Sequence, residues 1–401
     1  MHIFSIFFHP DPSVTAVGGA EKRFIETVKF FCKHDVKITL IEPQPCLLAK
    51  FSDCPRIYGL FSFNTFAGKG WVSIYFSWVL WIVKACLCSL RVINRDRFDV
   101  ILAPNNTLPN LFLAYFVHLV SRLPVCAIVH HVDVFSSANT SNFSAIYNTY
   151  RKIGYERITS LIKTLAFTIT FLILRRVDTC ITVSNTTAKF LMENGVSEKR
   201  IRVSGNGVRW ENIVNKKGKK NSPHKFYDGV FVGRIAKEKG VYDLIQAWQR
   251  IVQVKKDSKL VMIGTGPLEK DVKKKIKKFK LDNNIELVGY RDGEGKYEIF
   301  KQSKIVVHPA TYDSGGMSAA EIMAWKLPGV SFDLEALKTY YPKGMAKIPF
   351  GNFEGFVKEI LKLLSDKNYY QKVAEEARDL VIEEWDWNKR ADMIFDKVFA
   401  K

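Results

Sequence analysis

Residues 308–321 read His308-Pro309-Ala310-Thr311-Tyr312-Asp313-Ser314-Gly315-Gly316-Met317-Ser318-Ala319-Ala320-Glu321. The four residues ending at His308, Ile305–His308, are apolar and β-branched and read as a buried strand. A polar loop follows, with a carboxylate at Asp313 and two glycines. A helical pattern then opens and brings a second carboxylate, Glu321, eight residues on. Strand, loop and helix in this order are the unit of an α/β fold with a parallel sheet, and ligands of such folds bind past the C-terminal ends of the strands. Gly315 and Gly316 are expected to leave backbone N–H groups open to an anion. Asp313 and Glu321 can accept hydrogen bonds from hydroxyls, which a sugar and a ribose both supply.

The same alternation runs outward in both directions. Towards the N-terminus of this segment, strands are expected at Gly229–Gly233, Lys259–Ile263 and Ile285–Val288, and helices at Val241–Val254, Lys270–Phe279 and Tyr297–Gln302. An earlier series has strands at Ile3–Phe8, Val36–Ile41, Val100–Ala103, Val125–Val129 and Thr179–Val183, with a helix at Glu21–Lys33. Between the two series, Gly205–Pro223 carries breakers and positive charge, so the chain reads as two domains of one class joined there.

Composition narrows the partners. Apolar residues make up 47% and charged residues 25% of 401, which excludes a disordered, collagenous or disulfide-stapled chain. Sixty Lys+Arg against 40 Asp+Glu give +20, which favours an anionic partner such as nucleic acid, an acidic membrane or a phosphorylated substrate. Each half carries +10, so the charge is not one basic tail. Lys273–Lys280 (KKKIKKFK) spaces Val272, Ile276 and Phe279 helically and reads as a solvated face. The seven cysteines, at 32, 46, 54, 86, 88, 126 and 180, are odd in number and lack zinc spacing. They are expected to be reduced thiols of a cytosolic protein. The N-terminal MHIFSIFFHP has no basic region or small-residue cleavage site and reads as a first strand.

Trp71–Leu90 is long and apolar with Lys84 as its one charge, and Ser160–Leu174 is similar but shorter. The first segment admits three readings: a helix packed on the sheet, an interfacial helix resting on a membrane, or a span.

Other strand-to-helix junctions supply candidate residues. Gly18-Gly19 precede the first helix and allow close backbone approach. His130-His131-Val132-Asp133 follow a buried strand, where histidine can accept a hydrogen bond or move a proton. Gly233-Arg234 and Lys239-Gly240 bracket a basic loop whose cations can reach a diphosphate. Gly264-Thr265-Gly266-Pro267 closes a strand, and Gly289 and Tyr290 close the next.

Taken in order, Gly18-Gly19-Ala20-Glu21, His130, Val183-Ser184, Asn206-Gly207-Val208, Gly233-Arg234 with Lys239-Gly240, Gly264-Thr265-Gly266-Pro267, and Asp313 with Glu321 resemble a retaining glycosyltransferase of the GT-B fold, glycosyltransferase family 4. The chain departs from that family at Asp313, where Glu is usual, and at Lys326, where Gly precedes the proline. It also has Ser204-Gly205 where a proline often precedes NG.

The resemblance implies an α/β chain of two Rossmann-like domains facing across a cleft. Residues 1–205, with a returning helix at 385–401, would bind the acceptor, and 206–384 the nucleotide sugar. It implies His130, Arg234, Lys239 and Asp313 as catalytic residues. Donor contacts would come from Gly18, Gly19, Gly233, Gly264, Gly266, Gly289, Tyr290, Gly315, Gly316, Met317 and Glu321. His131 and Asp133 would face the acceptor. Cations would replace a metal, so no cofactor is expected beyond the nucleotide diphosphate sugar as co-substrate. The acceptor would be a glycan or a lipid-linked molecule, and the basic charge adds an anionic membrane surface at the cytoplasmic face. Nucleic acid is not expected as a partner. The rival readings are a nucleotide-sugar epimerase or phosphorylase of the same fold, a basic nucleic-acid-binding protein, and a non-catalytic membrane scaffold.

Overall fold

The computed structural model describes residues 1–8, 19–44, 46–48, 54–62, 70–130, 142–153, 155–208, 226–311, 313 and 316–399. They form two compact units, Met1–Gly205 with Asn388–Lys401, and Asn206–Trp387.

The first unit is a seven-stranded parallel sheet. Its strands are β1 (His2–Ile6), β2 (Lys37–Gln44), β3 (Arg56–Ser62), β4 (Val100–Ala103), β5 (Val125–Val129), β6 (Thr179–Thr182) and β7 (Ile201–Val203). Their order across the sheet is β3-β2-β1-β4-β5-β6-β7. The central strands β4 and β5 are continuous apolar runs because helices cover both faces. The helices are α1 (Gly19–Lys33), α2 (Gly70–Arg95), α3 (Leu108–Ser121), α4 (Phe143–Ile153), α5 (Arg157–Leu174) and α6 (Asn185–Glu193). Trp81 of α2, Leu111 of α3 and Phe171 of α5 share a core with Phe4, Ile101 and Val129 on one face. On the other face, Phe24 and Phe31 of α1 pack with Ile3, Leu40 and Ile128, together with Ala391 and Ile394 of the C-terminal helix. Ser184 caps α6, its side chain accepting from Thr187 N–H at 3.0 Å, which gives the Val183-Ser184 pair a folding role.

Two expectations change here. Cys32 and Cys54 form a disulfide with Cα atoms 6.1 Å apart, so these two of the seven cysteines are not reduced thiols. Spacing along the chain hides the pairing, because it depends on the end of α1 lying beside the approach to β3. The Trp71–Leu90 segment is a longer helix with two characters. Trp81 and Ala85 are fully buried in the sheet core, whereas Phe76, Val79, Val83 and Leu87 are exposed. The packed side of the helix fits the reading of a helix on the sheet. The same holds for α5, which is long and apolar enough to cross a membrane yet 44% buried in the unit.

The second unit is a six-stranded parallel sheet of β8 (Tyr227–Val232), β9 (Leu260–Ile263), β10 (Ile285–Gly289), β11 (Ser303–His308), β12 (Gly329–Phe332) and β13 (Met345–Ile348). The order is β10-β9-β8-β11-β12-β13. Its helices are α7 (Val241–Val254), α8 (Glu269–Lys278), α9 (Gly293–Lys301), α10 (Met317–Met323), α11 (Glu335–Tyr340), α12 (Phe353–Ser365) and α13 (Lys367–Glu384). Alternate residues face opposite layers. Phe231, Ile305 and Val307 pack with Trp248 of α7 and Phe356 of α12, while Val230 and Val306 pack with Ala320 of α10 and Leu380 of α13. Val272 and Ile276 anchor the lysine-rich α8, whose remaining face is solvated.

The return to the first unit begins at Asn388 rather than 385. Trp385 and Trp387 stay in the second unit because both are packed there. Trp385 stacks on Tyr341 at 5.5 Å, and Val208 N–H donates to Trp385 O at 2.8 Å. Gly207 lies so close to Trp387 that a Cβ would come within 2.3 Å of the indole. The last helix, α14 (Trp387–Phe399), then supplies Ala391, Ile394 and Val398 to the first unit's core.

Candidate active site

In each sheet the strand order reverses direction beside the first strand of its unit, at β1/β4 and at β8/β11. Loops leaving two such strands diverge and open a crevice at the C-terminal edge. Arg234 and Lys239 follow β8, and Asp313 follows β11, so the sequence candidates of the second unit flank its switch point.

Asp313 is the hub. Its side chain is 6% exposed, and its Oδ2 accepts from Lys239 Nζ at 3.0 Å and from His308 Nε2 at 2.9 Å. Its Oδ1 accepts from Gly316 N–H at 2.7 Å. Burial by itself would raise this carboxyl's pKa. The Lys239 ammonium outweighs that, together with the His308 hydrogen bond and charge and the Gly316 amide, and holds it well below the ordinary carboxylate range. Gly316 N–H is therefore not open to an anion as expected. It is occupied by Asp313, because the loop folds back on itself.

Gly316 has φ 61°, and the hydroxyl of Tyr341 donates to its carbonyl and accepts from Ala320 N–H at 3.1 Å. Burial and the charge of Asp313 raise the Tyr341 hydroxyl well above its ordinary pKa, so it stays a neutral donor.

The β8 loop is tied to the β11 loop by its backbone. Thr311 N–H donates to Glu238 O at 3.0 Å, and a Cβ on Gly240 would lie 1.8 Å from Pro309 O. Only glycine, with φ 66°, permits that approach. Arg234 is exposed and donates to Glu238. Burial would raise the Glu238 pKa, but the Arg234 hydrogen bond, a backbone hydrogen bond and the charges of Arg234 and Lys239 together lower it. Both loop cations thus already hold carboxylates, and a diphosphate binding there must share them.

The glycines after β8 and β9 act as a backbone stitch. Gly233 N–H donates to Ile263 O at 3.0 Å, Ile235 N–H to Thr265 O at 2.9 Å, and Gly264 N–H to Gly289 O at 2.9 Å. A Cβ on Gly264 would meet Gly233 O at 2.0 Å, and one on Gly266 would meet Ile235 O at 2.4 Å. These residues shape the edge by removing bulk. Gly289 ends β10, and Tyr290 follows it, half-buried.

Glu321, in α10, accepts from Lys296 Nζ at 2.8 Å, and Lys296 also pairs with Asp292 at 3.0 Å. Lys296 is 4% exposed. Met317, the first residue of α10, is half-buried. Lys296, His308 and Tyr341 were not anticipated as site residues. Lys296 reads as an ordinary lysine of a polar helix, and its partner lies 25 residues on.

In the first unit, His130 directly follows β5 and is 9% exposed. Its Nε2 lies 3.1 Å from Pro104 O, and a carbonyl only accepts, so Nε2 carries the proton. Its N–H donates to Asn106 Oδ1 at 3.1 Å. Asn110 bridges the neighbouring strand ends, donating to Asn105 Oδ1 at 2.6 Å and accepting from Phe8 N–H at 2.7 Å. Gly19 is the exposed first residue of α1. Gly18, His131, Asp133 and Gly315 lie outside the described residues. Among the described residues, no group of three or more His, Cys, Asp or Glu side chains is arranged to hold a metal ion.

Residues 212–380 match the family model described as Glycosyl transferases group 1, and residues 17–211 match that of Glycosyltransferase Family 4. The chain belongs to the group 1 glycosyltransferases. The fold of this group 1 glycosyltransferase is GT-B. HepE of Anabaena, crystallised with UDP and glucose, aligns with a TM-score of 0.71 at 15% identity over 100% of this chain and 99% of its own. Among curated relatives, an uncharacterized glycosyltransferase of Methanocaldococcus jannaschii is 27% identical over 58% of this chain and 61% of its own length. The poly(glycerol-phosphate) alpha-glucosyltransferase of Bacillus subtilis is 27% identical over 39% of this chain and 24% of its own. The matched part thus spans less than two thirds of either relative.

Proposed function

We propose that this group 1 glycosyltransferase moves a sugar from a UDP- or GDP-sugar to a glycan or lipid-linked acceptor, with retention at the anomeric carbon. The observation that carries the proposal is the pair of oriented cations, Arg234 held by Glu238 and Lys239 held by Asp313, at the switch point of the second sheet. The UDP and glucose bound to HepE and the alpha-glucosyl transfer of the B. subtilis relative support the donor class.

As the bond from the anomeric carbon to the diphosphate oxygen breaks, negative charge grows on that oxygen. Arg234 and Lys239 stabilise it, and their reorganisation cost is small because Glu238 and Asp313 have already placed them. In a front-face displacement the leaving phosphate takes the acceptor's proton, so no protein nucleophile is required. Glu321, fixed by Lys296, holds the ribose hydroxyls. Asp313 acts through Lys239 and His308. His130 is our candidate for contact with the sugar, with Nε2–H fixed on Pro104. We further propose that the two cations do the work a divalent metal does in other transferases, and that the enzyme acts at the cytoplasmic face of a membrane.

Incubating the chain with UDP-, GDP- and ADP-sugars, and scoring donor hydrolysis and thermal shift, tests this. Arg234→Ala is expected to lower turnover about 10²–10³-fold, as loss of one preorganised charge donor does, with the melting temperature unchanged. Full activity in that variant sinks the phosphate assignment. Sugar interconversion without transfer would support the epimerase rival, and salt-sensitive DNA binding without nucleotide-sugar binding the nucleic-acid rival.

A further inference from the structure

We propose that the outer face of α2, α3 and α5 in the first unit is a docking surface for an anionic lipid bilayer. The inner faces of these helices pack on the sheet, with Trp81, Leu111 and Phe171 in one core. Their outer faces are also apolar. On α2, Phe76, Val79, Val83 and Leu87 recur at steps of three and four and are each more than half exposed. On α5, Ile158, Leu161, Leu165, Ile169 and Leu172 repeat the same steps, with Ile158 63% exposed. That spacing puts each series on one side of its helix. α3 touches both and adds exposed Phe112 and Leu119, so the stripes belong to one continuous layer. At the edge of the layer, between α4 and α5, a groove of about 350 Å³ is lined by Phe143, Tyr147, Ile158 and Leu161, with Arg157 beside them. Apolar surface that continues over several helices marks an interaction site, since monomeric surfaces scatter such residues singly.

Charge selects the occupant. None of α2, α3, α4 and α5 contains an aspartate or glutamate, and together they carry seven lysines and arginines. Lys84, Arg91 and Arg95 lie on α2, and Arg151, Lys152, Arg157 and Lys163 on α4 and α5. A protein partner recognised by its apolar side chains alone would not require acids to be absent from four helices, the nearest being Glu156 and Asp96 just outside α5 and α2. A bilayer surface rich in anionic headgroups supplies both halves: acyl chains for the stripes and phosphates for the rim. The helices lie against the sheet and rest on the membrane instead of crossing it.

The full chain would be floated with phosphatidylcholine vesicles and with phosphatidylcholine–phosphatidylglycerol vesicles. Flotation with the anionic vesicles, weakening as salt rises, is expected. Arg91→Ser should weaken it about fivefold on anionic vesicles and leave neutral ones unchanged, the share of one cation near a charged surface. Val83→Glu with Leu165→Glu should bring it to background, and because both positions are exposed the circular dichroism melt should not move. Failure of the native chain to float with anionic vesicles at low salt overturns the proposal, as does undiminished flotation of the double variant. Lipid-free sedimentation decides the competing occupant. A dimer that the double variant splits would make this face a contact between copies and also overturn the proposal.

Discussion

Asp313 gathers donors from three separate places, and that explains its place in the site. A glutamate, the usual residue of the family at this position, has one more methylene with which to leave the loop. Aspartate keeps its carboxyl within reach of the amide of Gly316, His308 and Lys239 at once. Because the folded-state pKa is depressed, ionised Asp313 contributes stability above the pKa of an exposed carboxylate, about 4, and that contribution is lost as pH falls through the lowered value. Asp313→Asn is therefore expected to cost about 3 kcal/mol at neutral pH, the low end for breaking a buried pair, since the Lys239 side chain is 25% exposed. Urea denaturation at neutral pH and at about pH 3 checks this, and the difference from the native chain should shrink at the lower pH. The positions of Arg234, Lys239 and Asp313 were legible in the sequence because polar residues in the loops after buried strands are unusual, and Glu321 because it lies in the helix that follows. Their partners were not, since pairs such as Lys239 with Asp313 join loops 74 residues apart.

At the scale of elements, the buried central strands were readable and the short ones were not. Val100–Ala103 and Val125–Val129 are unbroken apolar runs, and both form as expected. β12 and β13 have four residues each, and Lys347 interrupts the second, so neither stands out from a loop. β3 begins at Arg56 and pairs only with β2. The turn after α10 shows how far a residue can depart from the family and still obey its backbone. Lys326 stands in place of the family's glycine and takes φ 60°, the left-handed conformation glycine would adopt. Its amide donates to Met323 O at 2.9 Å, closing the helix. A left-handed residue with a Cβ costs about 1 kcal/mol, and its exposed ion pair with Glu375 at 3.0 Å returns little. Lys326→Gly is expected to raise the melting temperature of the second unit by about 2–4 °C, read by calorimetry.

For the whole molecule, the even division of +20 between the halves concealed how uneven the charge is within the first half. Four of its helices carry no acid at all. Periodicity sees which face of a helix is apolar, but not that neighbouring helices align such faces. The chain's last helix is likewise a tertiary fact. Ala391, Ile394 and Val398 belong to the first unit's core although the chain reaches them from the second. Removing residues 388–401 should cost the first unit about 5 kcal/mol from the buried Ile394 and Val398 and the packing around them. That is comparable to a domain's entire stability, so limited proteolysis should then degrade 1–205 and spare 206–387. The Cys32–Cys54 disulfide bears on the same unit. It closes a ring of 22 residues around β2 and fastens the approach to the edge strand β3 to the end of α1. A ring of that size removes about 3 kcal/mol worth of unfolded-chain freedom, and a glutathione-buffered cytosol would open it. The same polypeptide would then exist in two grades of toughness, set by the compartment that last held it, with edge strand β3 as the part that loosens first.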